Sequence, residues 1–181
     1  KVLHCQTGQP DALHFLGVLC HQRNRSEEGI RLIRMALRTV PLHADAHNNL
    51  GNIYKECGQL AEAEACYRSA LTCQPQDHDA LSNRALVLDV QGREDEAFGV
   101  YSRFVTQAPQ LGRAHYLMGM FHCRHVDKIE DVERAVECFR NAVRHDGADV
   151  RARNEMGVAL YMLGRNEEAI EHLVIARKFH P

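Results

Sequence analysis

Asn48, Asn49 and Asn52 crowd into one helix-periodic stretch, and Asn83 stands in the next. Inside a helix each asparagine is less favourable than alanine by roughly 0.6 kcal/mol, so the three together cost about 2 kcal/mol. Each also carries a donor pair and an acceptor, which can pair with a peptide backbone whatever its side chains. The competing reading is a set of solvated polar residues. Arg113 and Arg151 sit at the start of helical stretches, where a positive charge opposes the helix dipole by about 0.3–1 kcal/mol. Asp11, Asp45 and Asp79 hold the same place earlier in the chain. The two arginines are therefore candidates to meet a partner's carboxylates, against the alternative of solvated surface arginines. Twelve histidines raise the question of a metal. His122 and His125 flank Cys123, and His14 and His21 share one stretch, but zinc needs four converging ligands and no second pair at ligand spacing lies nearby. No phosphate-binding glycine loop, nucleophile elbow or paired metal motif is present. No catalytic residue, metal or cofactor is expected, and the chain is not expected to be an enzyme.

The elements that position these residues repeat. Gly17, Gly51, Ala85 and Gly119 are 34 residues apart and Gly157 follows after 38, while Pro41, Pro75, Pro109 and Pro181 each fall 24 residues after a landmark. Gly147 takes the proline's place in the fourth unit. Five copies of one unit are expected. In the second copy, Leu50, Gly51, Ile53 and Tyr54 recur at helical spacing, as do Leu60, Ala63, Cys66, Tyr67, Ala70 and Leu71, with Glu56-Cys57-Gly58-Gln59 between them. Two helices of about 13 residues are too short to persist alone and must pack on each other. Glycine at the eighth place permits close approach, as do Ala63, Ala70, Ala169 and Ala176 from the second helix. Gly58, Gly92 and Gly164 end first helices in a left-handed conformation.

Composition narrows the partners. With 45% apolar and 25% charged residues the chain reads as a soluble protein, and no apolar run approaches the roughly 20 residues that span a bilayer. A net charge of −2 with interleaved signs gives no field for nucleic acid. Neither a membrane nor a nucleic acid partner is expected. Seven scattered cysteines point to a reducing compartment, hence a cytoplasmic protein with small buried thiols.

Leu50, Gly51, Tyr54, Ala63, Tyr67, Ala70 and Pro75 resemble the signature of the tetratricopeptide repeat, with His47 at the one departing place. Leu13, Leu16, Gly17, Ile33, Ala36 and Pro41 match in the first unit, and Met156, Gly157, Leu160, Gly164, Ala169, Leu173, Ala176 and Pro181 in the fifth. The resemblance implies an all-α, right-handed superhelical solenoid of antiparallel helix hairpins. Residues 1–9 would be the tail of a preceding repeat helix, with repeats at 10–43, 44–77, 78–111, 112–149 and 150–181. The fourth repeat carries four extra residues within 124–131, and a helix pair longer by a turn is expected over a protruding loop. Arg84 and Phe104 replace the usual Leu and Ala, so packing should adjust there. With no capping helix after Pro181, an excised fragment of a longer protein is expected.

In this family the first helices line a concave groove. The resemblance places Asp11, His14, Phe15, Val18 and His21 there, and in later repeats Asn48, Asn49, Asn52, Asn83, Arg113, Tyr116, Met120, Arg151, Asn154 and Tyr161. It implies a protein-interaction scaffold that holds a peptide, with amides on its backbone, Arg113 and Arg151 on acidic groups, and Tyr116, Met120 and Tyr161 under apolar side chains. Asn49 and Asn83 share the place of the asparagine ladder in O-GlcNAc transferase arrays, a ladder interrupted at Phe15, Leu117 and Glu155. The runs at 12–33 and 44–71 are also similar to arrays that precede bacterial O-GlcNAc-transferase-like glycosyltransferases, which implies substrate presentation to a catalytic domain. Two alternatives remain. Asn52, Asn83 and Arg113 fall at three of five places of the chaperone-adaptor carboxylate clamp, with Asn48 and Leu117 at the other two, and exposed terminal repeats could stack with copies of the chain.

Overall fold

The computed structural model describes residues 10–179, so the expected repeat tail at 1–9 and the closing Pro181 lie outside the described residues. Ten helices and no strand are found among the described residues, packed as consecutive pairs. The pairs are α1 (Pro10–Gln22) with α2 (Ser26–Thr39), α3 (Ala44–Glu56) with α4 (Leu60–Cys73), α7 (Gly112–Arg124) with α8 (Ile129–His145), and α9 (Val150–Met162) with α10 (Asn166–Phe179), and between α4 and α7 the chain forms α5 (His78–Val90) and α6 (Glu94–Gln107). Residues 1–97 and 98–181 form two compact units, the division falling within α6. Each has its own core. Ile33, Leu50, Ile53, Tyr54, Tyr67 and Val87 cluster in the first, and Val132, Val136, Phe139, Met156 and Leu160 in the second.

The eighth-place glycine sets the distance between paired helices. A Cβ on Gly51 would stand 2.6 Å from the Tyr67 ring, and one on Gly119 would stand 2.6 Å from the Phe139 ring. At Gly17 and Gly157 the obstructing side chains are Ile33 and Leu173. A bulky residue from the second helix thus lies flat on bare backbone, and any side chain at the glycine would push the pair apart. Gly58, Gly92 and Gly164 take the left-handed conformation just past their first helices, and in the first pair Asn24 does so at φ 60°. Asparagine is among the few other residues that tolerate this region, because its short amide bonds locally.

In the fourth pair, α8 has 17 residues where α10 has 14, and residues 125–128 make a connection one residue longer than the three that join α9 to α10. Most of the insertion is therefore almost one added helical turn. The helix starts carry a recurring brace at the same place, Arg25 with Glu28, Arg93 with Glu96 and Arg165 with Glu168. The hydrogen bond from Arg93 holds the Glu96 carboxyl below the usual carboxylate range, and Arg165 does the same to Glu168.

The departing residue at the fourth place also has a structural task. His47 Nε2 donates to the Pro41 carbonyl at 2.9 Å, and His115 Nε2 donates to the Pro109 carbonyl at 2.9 Å. Arg153 donates to the Gly147 carbonyl at 3.0 Å from the same place. Each satisfies the carbonyl of the boundary residue that the turn leaves without a backbone partner.

Arg84 adjusts the packing as its substitution for leucine requires. Its Nε donates to Glu64 Oε1 at 2.9 Å, across from α5 to α4, and the Glu64 side chain is only 6% exposed. Phe104 is fully buried. Removing one partner of a buried pair strands the other charge, whereas replacing both by apolar groups is close to neutral. Arg84→Leu should lower the unfolding free energy by about 3 kcal/mol in urea denaturation, and Arg84→Leu with Glu64→Leu should recover to within about 1 kcal/mol of the parent.

Candidate functional site

Three amides of the first unit, Asn48, Asn52 and Asn83, are joined into one network. Tyr67, fully buried on α4, donates its hydroxyl to Asn52 Oδ1 at 2.8 Å. Asn83 Nδ2 on α5 donates to the same oxygen at 3.1 Å and to Asn48 Oδ1 at 3.3 Å, while Asn83 Oδ1 accepts from Lys55 Nζ at 3.4 Å. Burial pushes the Tyr67 phenol well above its ordinary range, so it stays a donor. The amide oxygens of Asn48 and Asn52 are thus turned toward the protein. Their nitrogens have no hydrogen-bond partner among the described residues. Asn83 differs from its expected role as a direct contact, because both ends of its amide engage neighbouring side chains. It braces α3 against α5.

A parallel strut joins α1 to α3, where Asn49 Nδ2 and His14 Nε2 are 2.8 Å apart. His14 with Asn49 and Asn48 with Asn83 are both pairs 35 residues apart, the fifth place of one first helix reaching the sixth of the next. Two more histidines tie the same elements. His43 accepts from the Ala46 backbone N–H with Nδ1 and donates from Nε2 to Asp11 at 3.1 Å. His21 Nε2 donates to Glu56 at 2.8 Å, with Nδ1 against Ser26 Oγ at 2.9 Å. The His14 imidazole is held below its ordinary range by burial first and by His43 next, with Asp45 and Asp11 opposing. At neutral pH it is uncharged.

These first helices frame two hollows that meet at Asn49. One, of about 450 Å³, is lined by Asp11, His14, Phe15, His43, Asp45, Asn48, Asn49 and Asp79. The other, of about 340 Å³, is lined by Val18, His21, Asn49, Asn52 and Glu56 among others. The groove-facing places of α1 and α3 therefore share one hollowed surface.

In the second unit the arrangement is looser. The Arg151 guanidinium lies over the Tyr116 ring at 5.3 Å, with its side chain 73% exposed and Nε 3.5 Å from Asp149. Tyr116 and Met120 are half-buried against the core cluster, and Leu117 is itself buried. Arg113, Asn154 and Tyr161 are exposed, Tyr161 by 69%. Sequence reasoning placed these residues on one face, and among them Arg151 and Tyr116 are in mutual contact. It missed the histidine struts, whose signal was the recurrence of the same two places 35 residues apart.

His122 packs its ring near Phe98 and Phe121, and His125 lies against Phe121 at 4.5 Å. Among the described residues no three His, Cys, Asp or Glu side chains are grouped to hold a metal ion. Burial raises the thiols of Cys66, Cys123 and Cys138 to about 11, which keeps them protonated and poor nucleophiles at neutral pH. Among the described residues no helix is long and apolar enough to cross a membrane.

Residues 44–77 match one tetratricopeptide repeat family model and residues 127–179 match another. These segments are tetratricopeptide repeats. Human tetratricopeptide repeat protein 16 is 33% identical over 75 residues, which is 41% of this chain and 9% of that protein. Tetratricopeptide repeat protein 8 of Caenorhabditis elegans is 26% identical over 104 residues, 56% of this chain and 21% of its own length. The chain thus spans a small part of the curated relatives it matches. Among solved structures, MamA 41-end from Desulfovibrio magneticus RS-1 superposes with a TM-score of 0.78 at 21% identity, covering 96% of each chain. Pseudomonas aeruginosa pilF gives 0.80 at 24% identity, covering 95% of this chain and 77% of that one. YrrB, described as a TPR protein with an unusual peptide-binding site, gives 0.69 at 20% identity, over 93% and 85%. Likeness at these identities shows the tetratricopeptide fold.

The Tyr67 side chain is fully buried, and its hydroxyl depends on Asn52 for its partner. Asn52→Ala should therefore lower stability by about 1–3 kcal/mol in thermal or urea unfolding, despite alanine's higher helix propensity. Adding Tyr67→Phe should restore most of that loss.

Proposed function

We propose that the hollowed face of the first unit captures an extended polypeptide segment through its backbone. Asn48, Asn49 and Asn52 make the contacts, and Asn83 positions Asn48 and Asn52. The observation that carries this reading is the polarity of the amides: their oxygens are tied to Tyr67 and Asn83, and the Asn48 and Asn52 nitrogens are left to donate to a partner's carbonyls. Because the donors are already oriented, little side-chain freedom is lost when a guest binds. The guest itself must be ordered, so micromolar affinity is expected.

In the second unit, Arg151 stacked on Tyr116, together with Arg113 and Asn154, receives acidic or polar groups, while Met120 and Tyr161 offer apolar contact. The sequence likeness to arrays preceding O-GlcNAc-transferase-like enzymes supports a substrate-presenting role in a larger protein. The peptide-binding site named for YrrB supports peptide recognition by this fold. The chaperone-clamp alternative has less support, since Asn48 and Leu117 stand where that clamp has cations and Leu117 is buried.

Asn48→Ala with Asn49→Ala tests the reading. By fluorescence anisotropy with a short labelled peptide of glycine, serine and alanine carrying one lysine, the double variant should bind roughly fivefold or more weakly, in line with the loss of one or two hydrogen bonds. Its circular dichroism should stay helical. Equal affinity in a folded variant would remove the amides from the site.

A further inference from the structure

We propose that a hollow framed by α2, α3 and α4 is a second docking surface, one that takes an acidic polypeptide segment and seats a glutamate side chain from it. This surface is separate from the asparagines. Leu50 and Tyr54 line it from the side of α3 turned away from Asn48, Asn49 and Asn52.

The hollow has a volume of about 260 Å³, with Leu37, Leu50 and Cys66 supplying apolar walls and Arg34 and Glu62 the charges. Tyr54 is only 5% exposed, and its hydroxyl is buried without a hydrogen-bond partner. The groups that act on this phenol electrostatically, Arg34, Cys66 and Glu62, all line the hollow, which places the hydroxyl at its wall. Burial holds the phenol above its ordinary range, so at neutral pH the hydroxyl keeps its proton. Arg34 lies over the Tyr54 ring with its guanidinium carbon 5.7 Å from the centroid. A guanidinium carries donors only, so it can meet the phenol oxygen but cannot take the phenol proton. Buried polar atoms are seldom left without a partner, and the partner missing here is an acceptor.

Charge decides which acceptor. Arg31, Arg34 and Arg38 recur at helical spacing on one exposed face of α2, and none of the three makes an ion pair among the described residues. By contrast, Arg68, Arg84 and Arg140 are each paired with a glutamate. A guest carboxylate in the hollow would accept from the Tyr54 hydroxyl and from Arg34, bonds strengthened by charge, while its methylene stem lies on Leu37 and Leu50. Further carboxylates of the same segment would meet Arg31 and Arg38. A backbone carbonyl could take the Tyr54 proton but would leave the three cations unanswered. Two acidic neighbours oppose the guest, Glu27 four residues before Arg31 and Glu62 in the lining. Glu62 makes no ion pair with Arg34, so the guanidinium stays available. Three arginines along about 10 Å of helix, in a chain of net charge −2, fall short of the extended field that holds nucleic acid.

The test is fluorescence anisotropy of the full chain with two labelled glycine–serine peptides, one carrying three glutamates and the other three glutamines. At low salt the glutamate peptide should bind roughly tenfold tighter, and the difference should shrink as salt rises. Tyr54→Phe should cut that advantage roughly threefold or more while leaving the thermal midpoint unchanged or higher, because it removes a buried donor that nothing satisfies. Arg34→Gln should cut it further, and Glu62→Gln should tighten binding. Asn48→Ala with Asn49→Ala should leave the advantage intact. Equal binding of the two peptides by the folded chain, or none by either, would overturn the proposal. A glutamate preference kept in full by Tyr54→Phe with Arg34→Gln would place the acidic segment elsewhere and also overturn it. A lowered midpoint in Tyr54→Phe would show the hydroxyl already satisfied within the fold, with the same consequence.

Discussion

The contact of a large side chain with bare glycine backbone is the constraint on which the other features depend. Tyr67 on Gly51 and Phe139 on Gly119 bring the two helices of these pairs to a separation at which a Cβ on the glycine would stand 2.6 Å from the ring. Once a pair is fixed at that distance, its hydrophobic seam is closed and its outer surfaces are presented at a set angle to the next pair. Within the first unit this places α1, α3 and α5 so that the fifth place of one helix reaches the sixth place of the next. The polar struts from His14 to Asn49 and from Asn48 to Asn83 are consequences of that register.

The struts change what the asparagines mean. In isolation three amides inside one helix are a local weakness. In the folded protein Asn52 is the partner of a buried tyrosine, and Asn48 and Asn49 join neighbouring helices. The same bonds that offset the helix-propensity loss also fix which way each amide points. At Asn48 and Asn52 structural and binding roles are therefore served by opposite ends of one functional group, with the oxygens turned inward and the nitrogens left to the hollow, whereas at Asn49 the nitrogen is the end held by His14. A wall built in this way discriminates little between guest side chains through its amides.

The hairpins were legible in the sequence because their determinants are local: a glycine or alanine eight places into each unit, a left-handed residue after most first helices, a breaker at the unit's end. Asn24 shows the limit of that reading, since a turn signal keyed to glycine passes over an asparagine that adopts the same conformation. The places that the family resemblance assigns to the inner face of α1 and α3 line the two hollows, but their hydrogen-bond partners were not legible. Arg84 stood out as a departure, but Glu64 lies 20 residues away on a different helix, and only the packing of α4 against α5 makes the pair. Likewise Asn83 looked like an outward ladder rung, whereas the register of α5 on α3 turns it inward to Asn48 and Asn52. His47 resembled a loss from the repeat signature, and both it and His115 are hydrogen-bond donors to the boundary carbonyls.

The central claim is that side-chain amide nitrogens of the first unit donate to a guest's backbone carbonyls. The most direct measurement follows the asparagine side-chain NH₂ resonances by nuclear magnetic resonance during titration with the lysine-bearing peptide, with the backbone signals of Arg68 and Thr72, exposed on α4, as a reference. The account predicts large shifts for the Asn48 and Asn52 NH₂ groups, a smaller response at Asn83, and none at the reference positions. Shifts concentrated at Arg68 and Thr72, with the Asn48 and Asn52 amides unmoved at saturation, would contradict it.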